Sequence, residues 1–206
     1  MPKLQLVVFD CDGVMFDSLA ANKAYYNDIL DHFGHPPMNE EGLQYVHVHN
    51  VVDSVRFIFR PYPADYLAAE AFRMTLDYVP YLKFMRMEPD LVEFLRFLRP
   101  GVRTAISTNR SNTMSTLLTI FDLAPYFDKV VTALDVVNSK PHPEALWQIL
   151  EHFGLKQEEA IYIGDSQVDL EHTRAVGMRM IAFKNPTLPA EFHVNSFMEI
   201  TALPVF

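Results

Sequence analysis

Five short apolar runs, each carrying β-branched residues, constrain the fold of this chain more tightly than any other feature. They lie at 4–9, 102–106, 129–133, 160–163 and 178–183. Runs this short suit strands rather than helices, and strands covered on both faces lose the usual apolar–polar alternation. Helical patterns fall between them from Leu91 onward. Glu88-Pro89-Asp90 favours a helix start, and Pro100-Gly101 closes the helix expected at 91–98. Ser111 is expected to cap a helix running toward Phe121. Pro143 opens a helix at 144–153 that Gly154 stops, and another at 167–176 stops at Gly177. Strand and helix in alternation predict an α/β fold, a doubly wound parallel sheet with a Rossmann-like core, and ligands beyond the carboxyl ends of its strands.

Residues 17–87 have a different character. They read as a helix at 18–33 ended by Gly34-His35-Pro36-Pro37, shorter pieces at 40–46 and 50–59, and a last helix at 64–79, with no strand signal among them. Asp17-Ser18 is expected to cap the first of these helices. The predicted organisation is therefore an α/β core formed by 1–16 and 88–206, with 17–87 as an inserted α-helical cap domain. The tail beyond Lys184 reads as a surface wrap with a short helix at 197–200.

The formal net charge of −9 argues against nucleic acid or an anionic membrane surface as partner. No apolar run is long enough to span a bilayer, and the N-terminus lacks the profile of a secretory signal, so a cytoplasmic location is expected. The one cysteine, Cys11, rules out an internal disulfide and a cysteine zinc cluster. Packing against its neighbours is its expected role. An anionic substrate would need a metal ion and a few placed cations, and nothing here specifies an oligomeric state.

Chemistry concentrates where the runs end. Asp10 and Asp12 follow the first run two residues apart, so both carboxylates can reach the space above the sheet edge, and Gly13 permits the backbone to turn away. Asp165 and Asp169 follow the fourth run at a spacing that places both on one side of a helical turn. Oxygen-only ligands of this kind suit magnesium better than zinc. Thr108 with Asn109 offers a hydroxyl and backbone amides, and Lys140 offers a compact ammonium; both suit phosphate oxygens.

These four segments, in this order, resemble the haloacid dehalogenase (HAD) superfamily, in the branch whose helical cap follows the first strand. The matching motifs are Asp10-Cys11-Asp12-Gly13-Val14, Thr108-Asn109, Lys140-Pro141 and Gly164-Asp165 with Asp169. The resemblance implies a Mg2+-dependent phosphatase acting on a small phosphorylated metabolite, similar in architecture to phosphoglycolate phosphatase. It implies Asp10 as nucleophile and carrier of an aspartyl-phosphate, Asp12 as proton donor and then acceptor, and Thr108 and Lys140 as partners of the phosphoryl oxygens. The metal would be held by Asp10, the Asp12 carbonyl, Asp165 and Asp169. Expulsion of a halide needs no proton, so the presence of Asp12 favours a phosphatase over a dehalogenase. A sugar phosphomutase of the β-phosphoglucomutase type shares every core residue, and a phospho-acceptor signalling module shares the strand-end aspartates. In the cap, His47, His49 and Arg56 are candidate substrate contacts, although related caps often carry glycine and smaller residues where these histidines stand. Arg56, Arg60 and Arg73 hint at positive charge there for a second anionic group.

Overall fold

The computed structural model describes residues 3–49 and 51–206; Met1, Pro2, Asn50 and the side chains of His47 and Val48 lie outside the description. In chain order the elements are β1 (Leu6–Phe9), β2 (Phe16–Asp17), α1 (Leu19–His32), α2 (Glu40–Val48), α3 (Val51–Ile58), α4 (Tyr66–Thr75), β3 (Arg86–Met87), α5 (Leu91–Leu98), β4 (Arg103–Ser107), α6 (Met114–Ile120), β5 (Lys129–Val131), α7 (Glu144–Phe153), β6 (Ala160–Gly164), α8 (Gln167–Arg174), β7 (Arg179–Phe183), β8 (Phe192–Val194) and α9 (Phe197–Ile200). They divide into two compact units, Met1–Asp17 with Met87–Phe206, and Ser18–Arg86.

The larger unit is built on a six-stranded sheet in the order β5-β4-β1-β6-β7-β8. Every pairing is parallel. Successive residues of a strand point to opposite faces, and here both faces are dry. Leu6, Val8, Ala105, Tyr162, Met180 and Ala182 face one side, where they pack with Leu146, Ile149 and Leu170 of α7 and α8. Phe9 and Phe183 face the other, against Phe94 of α5 and Phe197 of α9, with ring centroids 4.6 to 6.1 Å apart. Double coverage explains why the five runs are nearly continuous. β1 lies between β4 and β6, so the strand order reverses at its carboxyl end, the place where such sheets leave an open crevice.

The parallel doubly wound sheet is as expected, and local details differ. β8 was not expected. Its three residues, Phe192-His193-Val194, extend the edge beside β7 in a tail that reads as irregular. Helix α6 starts at Met114 with Thr113 in the cap position, and the Ser111 hydroxyl bonds Asn112 instead of capping. Ser18 occupies the cap position of α1 without a side-chain capping bond. The short strands β2 and β3 bound the segment that was expected to hold helices alone.

The smaller unit is a helical cluster whose core is aromatic. Tyr25 of α1 meets Tyr26, Tyr78 and Tyr81 at centroid distances of 5.0 to 5.4 Å, and Phe59 meets Phe33 at 5.7 Å. Asn39 caps α2 by accepting the Gly42 amide at 2.9 Å. The helix expected to begin at Asn50 starts, among described residues, at Val51. Within the described residues no helix is long and apolar enough to cross a membrane.

Candidate active site

Asp10 follows β1 directly, and its amide donates to the Ile163 carbonyl of β6 at 2.9 Å, so the sheet ladder fixes its backbone. Gly13 then takes φ = +78°, a region where only glycine is unstrained. A Cβ there would lie 2.0 Å from Asp165 Oδ2, so the absent side chain makes room for that carboxylate. Asp165 closes β6. Its backbone carbonyl accepts from Asn185 Nδ2 at 2.7 Å, which ties the loop after β7 to the loop after β6.

Lys140 is buried beneath these acids. Its Nζ lies 2.8 Å from Asp10 Oδ1 and 2.7 Å from Asp169 Oδ1. Asn109 clamps the lysine backbone at two points: Oδ1 accepts the Lys140 amide at 3.0 Å, and Nδ2 donates to the Lys140 carbonyl at 3.1 Å. The Asn109 side chain therefore orients Lys140, and its backbone amide is what remains for a ligand. Thr108, expected beside it, follows β4, the strand next to β1. Its hydroxyl accepts the Arg110 amide at 3.1 Å, and its own proton has no acceptor among the described residues.

Asp169 is fully buried, and both its oxygens are engaged. Oδ1 accepts from Lys140 Nζ at 2.7 Å and lies 3.0 Å from the Tyr162 hydroxyl. Oδ2 accepts the Ser166 hydroxyl at 2.7 Å and the amides of Ser166 and Asp165 at 3.2 and 3.3 Å. Ser166 and Asp169 also form the reciprocal capping box that starts α8. Such a saturated carboxylate suits the anchoring of Lys140 and Ser166 more than direct metal ligation. Asp165 is the opposite case. Its carboxylate makes no hydrogen bond among the described residues, yet single oxygens of Asp10, Asp165 and Asp169 lie within 4.8 Å of one another.

Charge explains what this cluster needs. Burial, then the charge of Asp169, push Asp10 up to about 7 despite Lys140. Burial, then Asp10 and Asp169, push Asp165 up to about 8. Burial opposes ionisation of Asp169 too, but the charge and hydrogen bond of Lys140 prevail and hold it below the ordinary carboxylate range. With all three carboxylates ionised, one ammonium leaves two negative charges uncompensated. A divalent cation between Asp10 and Asp165 fits both that deficit and the oxygen donors present.

Asp12 has a different cationic partner, Arg110. Arg110 holds both its oxygens, through Nε and an Nη, each at 2.7 Å, and its other Nη reaches Thr113 at 3.2 Å. This fork fixes the plane of the Asp12 carboxylate. Cys11, between the two aspartates, is fully buried; burial and the Asp12 charge raise its thiol well above the ordinary range, as suits a packing role.

The cap candidates belong to the other unit. His49 ends α2 with its ring stacked on Tyr45 at 3.7 Å, while the side chain of His47 lies outside the described residues. Arg56 pairs with Asp53 at 3.3 Å, Arg60 with Glu41 at 2.9 Å and Arg73 with Glu70 at 3.0 Å. The positive charge expected on the insert is therefore offset residue by residue within it.

Four residues of this neighbourhood were missed in the sequence: Arg110, Tyr162, Asn185 and His172. Two carried a readable signal. Arg110 adjoins Thr108-Asn109, and Tyr162 is the one hydroxyl in an apolar strand. His172 of α8 is fully buried, with Nδ1 2.8 Å from the His142 carbonyl and Nε2 3.0 Å from the Ser107 hydroxyl. A carbonyl only accepts, so Nδ1 carries the proton and Nε2 accepts from Ser107.

Burial, then the charge of Lys140, depress His172 from 6.5 to about 4. The unfolded chain takes this proton near the ordinary value, whereas the folded protein resists it. Its contribution to stability is therefore complete above about pH 6.5 and lost as pH falls toward 4, on the order of 3 kcal/mol in all. Urea unfolding of His172→Gln against the parent, from pH 7 to pH 5, is expected to show the variant lacking that decline. Parallel curves would exclude His172 as its source.

Comparisons with known proteins agree with this geometry. A family model described as haloacid dehalogenase-like hydrolase matches residues 7–183. A HAD-superfamily hydrolase of subfamily IA, variant 1, from Geobacter sulfurreducens is 39% identical, with a TM-score of 0.85 over 96% of this chain and 95% of that one. A haloacid dehalogenase-like hydrolase from Bacteroides fragilis, 21% identical, shares the fold at a TM-score of 0.81 over 96% of this chain and all of that one. Phosphoglycolate phosphatase 1 of Pseudomonas aeruginosa is 28% identical over 86% of this chain and 68% of its own length. With the family model spanning most of its length and motifs that meet around Asp10, this chain belongs to the haloacid dehalogenase-like hydrolase family.

Proposed function

We propose that this hydrolase is a magnesium-dependent phosphatase that cleaves a small phosphate monoester through an aspartyl-phosphate on Asp10. The observation that supports it most is the buried ammonium of Lys140 set between Asp10 and Asp169, beside an Asp165 carboxylate with no hydrogen-bond partner of its own among the described residues. Asp10 Oδ1 faces the lysine, which leaves Oδ2 to attack phosphorus. Lys140 stabilises Asp10 as a carboxylate, and the Thr108 hydroxyl has a proton to donate to a phosphoryl oxygen. Asp10, the Asp12 carbonyl and Asp165 would hold magnesium, with Asp169 supporting them; the ion would offset charge on the phosphoryl oxygens during transfer. In this reading 17–87 is the counterpart of the family's helical cap. Relatives named phosphoglycolate phosphatase point to a small phosphorylated metabolite as substrate.

Release of inorganic phosphate from para-nitrophenyl phosphate tests the reading. Turnover is expected with magnesium, should cease when a chelator is added and should return with excess metal. No turnover under any metal would sink the phosphatase assignment, and isomerisation of a sugar phosphate without phosphate release would replace it with a mutase. Asp12 gives a second check. Asp12→Asn is expected to let the first transfer proceed slowly and to block hydrolysis, so labelled phosphate should remain on the protein at Asp10. Hydrolysis at the parent rate would remove the proton-transfer role.

A further inference from the structure

We infer that Tyr162 is a positioning residue for Lys140, acting as the third partner of the buried ammonium. An ammonium has three donors. Lys140 Nζ has three oxygens in reach: Asp10 Oδ1 at 2.8 Å, Asp169 Oδ1 at 2.7 Å and the Tyr162 hydroxyl at 3.0 Å. Two of these are charged and pull the ammonium toward themselves. The hydroxyl is the one neutral partner, and it fixes the direction of the remaining N–H.

The hydroxyl is itself fixed. It lies 3.0 Å from the Ser107 carbonyl and 3.0 Å from Asp169 Oδ1, so its single proton has an acceptor while a lone pair faces Lys140. Ser107 immediately precedes Thr108, so the tyrosine links the end of β4, the lysine loop and the start of α8. The ring is wholly buried in β6 and stands edge-on to His172 at 5.8 Å, which holds Ser107 from its other side. Tyr162 does not reach the solvent from which a substrate arrives, and it acts through Lys140. The inference rests on the phosphatase reading in one respect: its kinetic test takes Lys140 to meet a phosphoryl oxygen during transfer.

Tyr162→Phe keeps the ring and removes only the hydroxyl, and two measurements test it. Steady-state hydrolysis of para-nitrophenyl phosphate is expected to show kcat lowered about tenfold and KM changed less than about twofold, since the orientation of Lys140 matters most during transfer. Independently of activity, the ammonium resonance of Lys140 in 15N-lysine-labelled protein, assigned with Lys140→Arg, is expected to shift or broaden in the variant. Parent-like kcat, or an unchanged Lys140 resonance, would overturn the inference. A parent without phosphatase activity would sink the proposed function alone, because the resonance still decides the role of Tyr162.

Discussion

Asp10→Asn is expected to lower turnover of any phosphate ester by at least about four orders of magnitude while leaving the fold intact. The amide oxygen can still accept from Lys140, so the ion pair becomes an ordinary hydrogen bond, and Lys140 keeps Asp169 at 2.7 Å. What disappears is the nucleophile. Stability should not suffer in metal-free buffer. The ionised Asp10 carboxylate is opposed in the folded protein by burial and by the charge of Asp169, the causes that push it up to about 7, and the amide escapes both. Thermal melting in the presence of chelator should therefore place the variant at or above the parent at pH 8. Activity within tenfold of the parent would sink the aspartyl-phosphate route, and a large drop in melting temperature would mean that the carboxylate serves the fold.

Much of this arrangement was legible because sheet burial and strand-end chemistry leave local marks. β1, β4, β6 and β7 read as strands because both faces are covered, and α7 read true because Gly154 supplies the left-handed stop that its sequence announces. Asp10, Lys140 and Asp165, which the fold brings together, could be picked out as candidates because they follow runs or turns whose geometry a short window specifies. What escaped was information carried by partners distant in sequence. Arg110 finds Asp12 at a separation of 98 residues, and no periodicity encodes that meeting. Tyr162 shows a hydroxyl in an apolar strand, but that hydroxyl acquires a role only once Lys140 and Ser107 surround it. The saturation of Asp169 was hidden for a related reason. Ser166 and Asp169 form a local capping box, but the Lys140 and Tyr162 bonds arrive from elsewhere in the chain. Arg56, Arg60 and Arg73 of the insert each fold beside an acid, and charge counted along a sequence takes no account of such neighbours.

Removing the cation instead of the nucleophile separates catalysis from stability. Lys140→Met keeps most of the buried stem and deletes the charge, so Asp169, fully buried, loses its counter-ion along with Asp10. Breaking a buried pair from one side costs about 3 to 5 kcal/mol, because the remaining charge stays desolvated. Urea unfolding should register a loss of that size at pH 8 and a smaller one near pH 5, where the carboxylates can take up protons. Turnover should fall by about a thousandfold or more, since the ammonium then no longer favours ionised Asp10 or meets the phosphoryl oxygens from that side. The double variant Lys140→Met with Asp169→Asn discriminates between the two roles. Neutralising the stranded partner should recover much of the stability, as replacement of both members of a buried pair commonly does, yet it should recover no activity. Recovery of both would reduce Lys140 to a structural counter-ion. Recovery of neither would place the origin of its stability contribution somewhere other than the Asp169 pair.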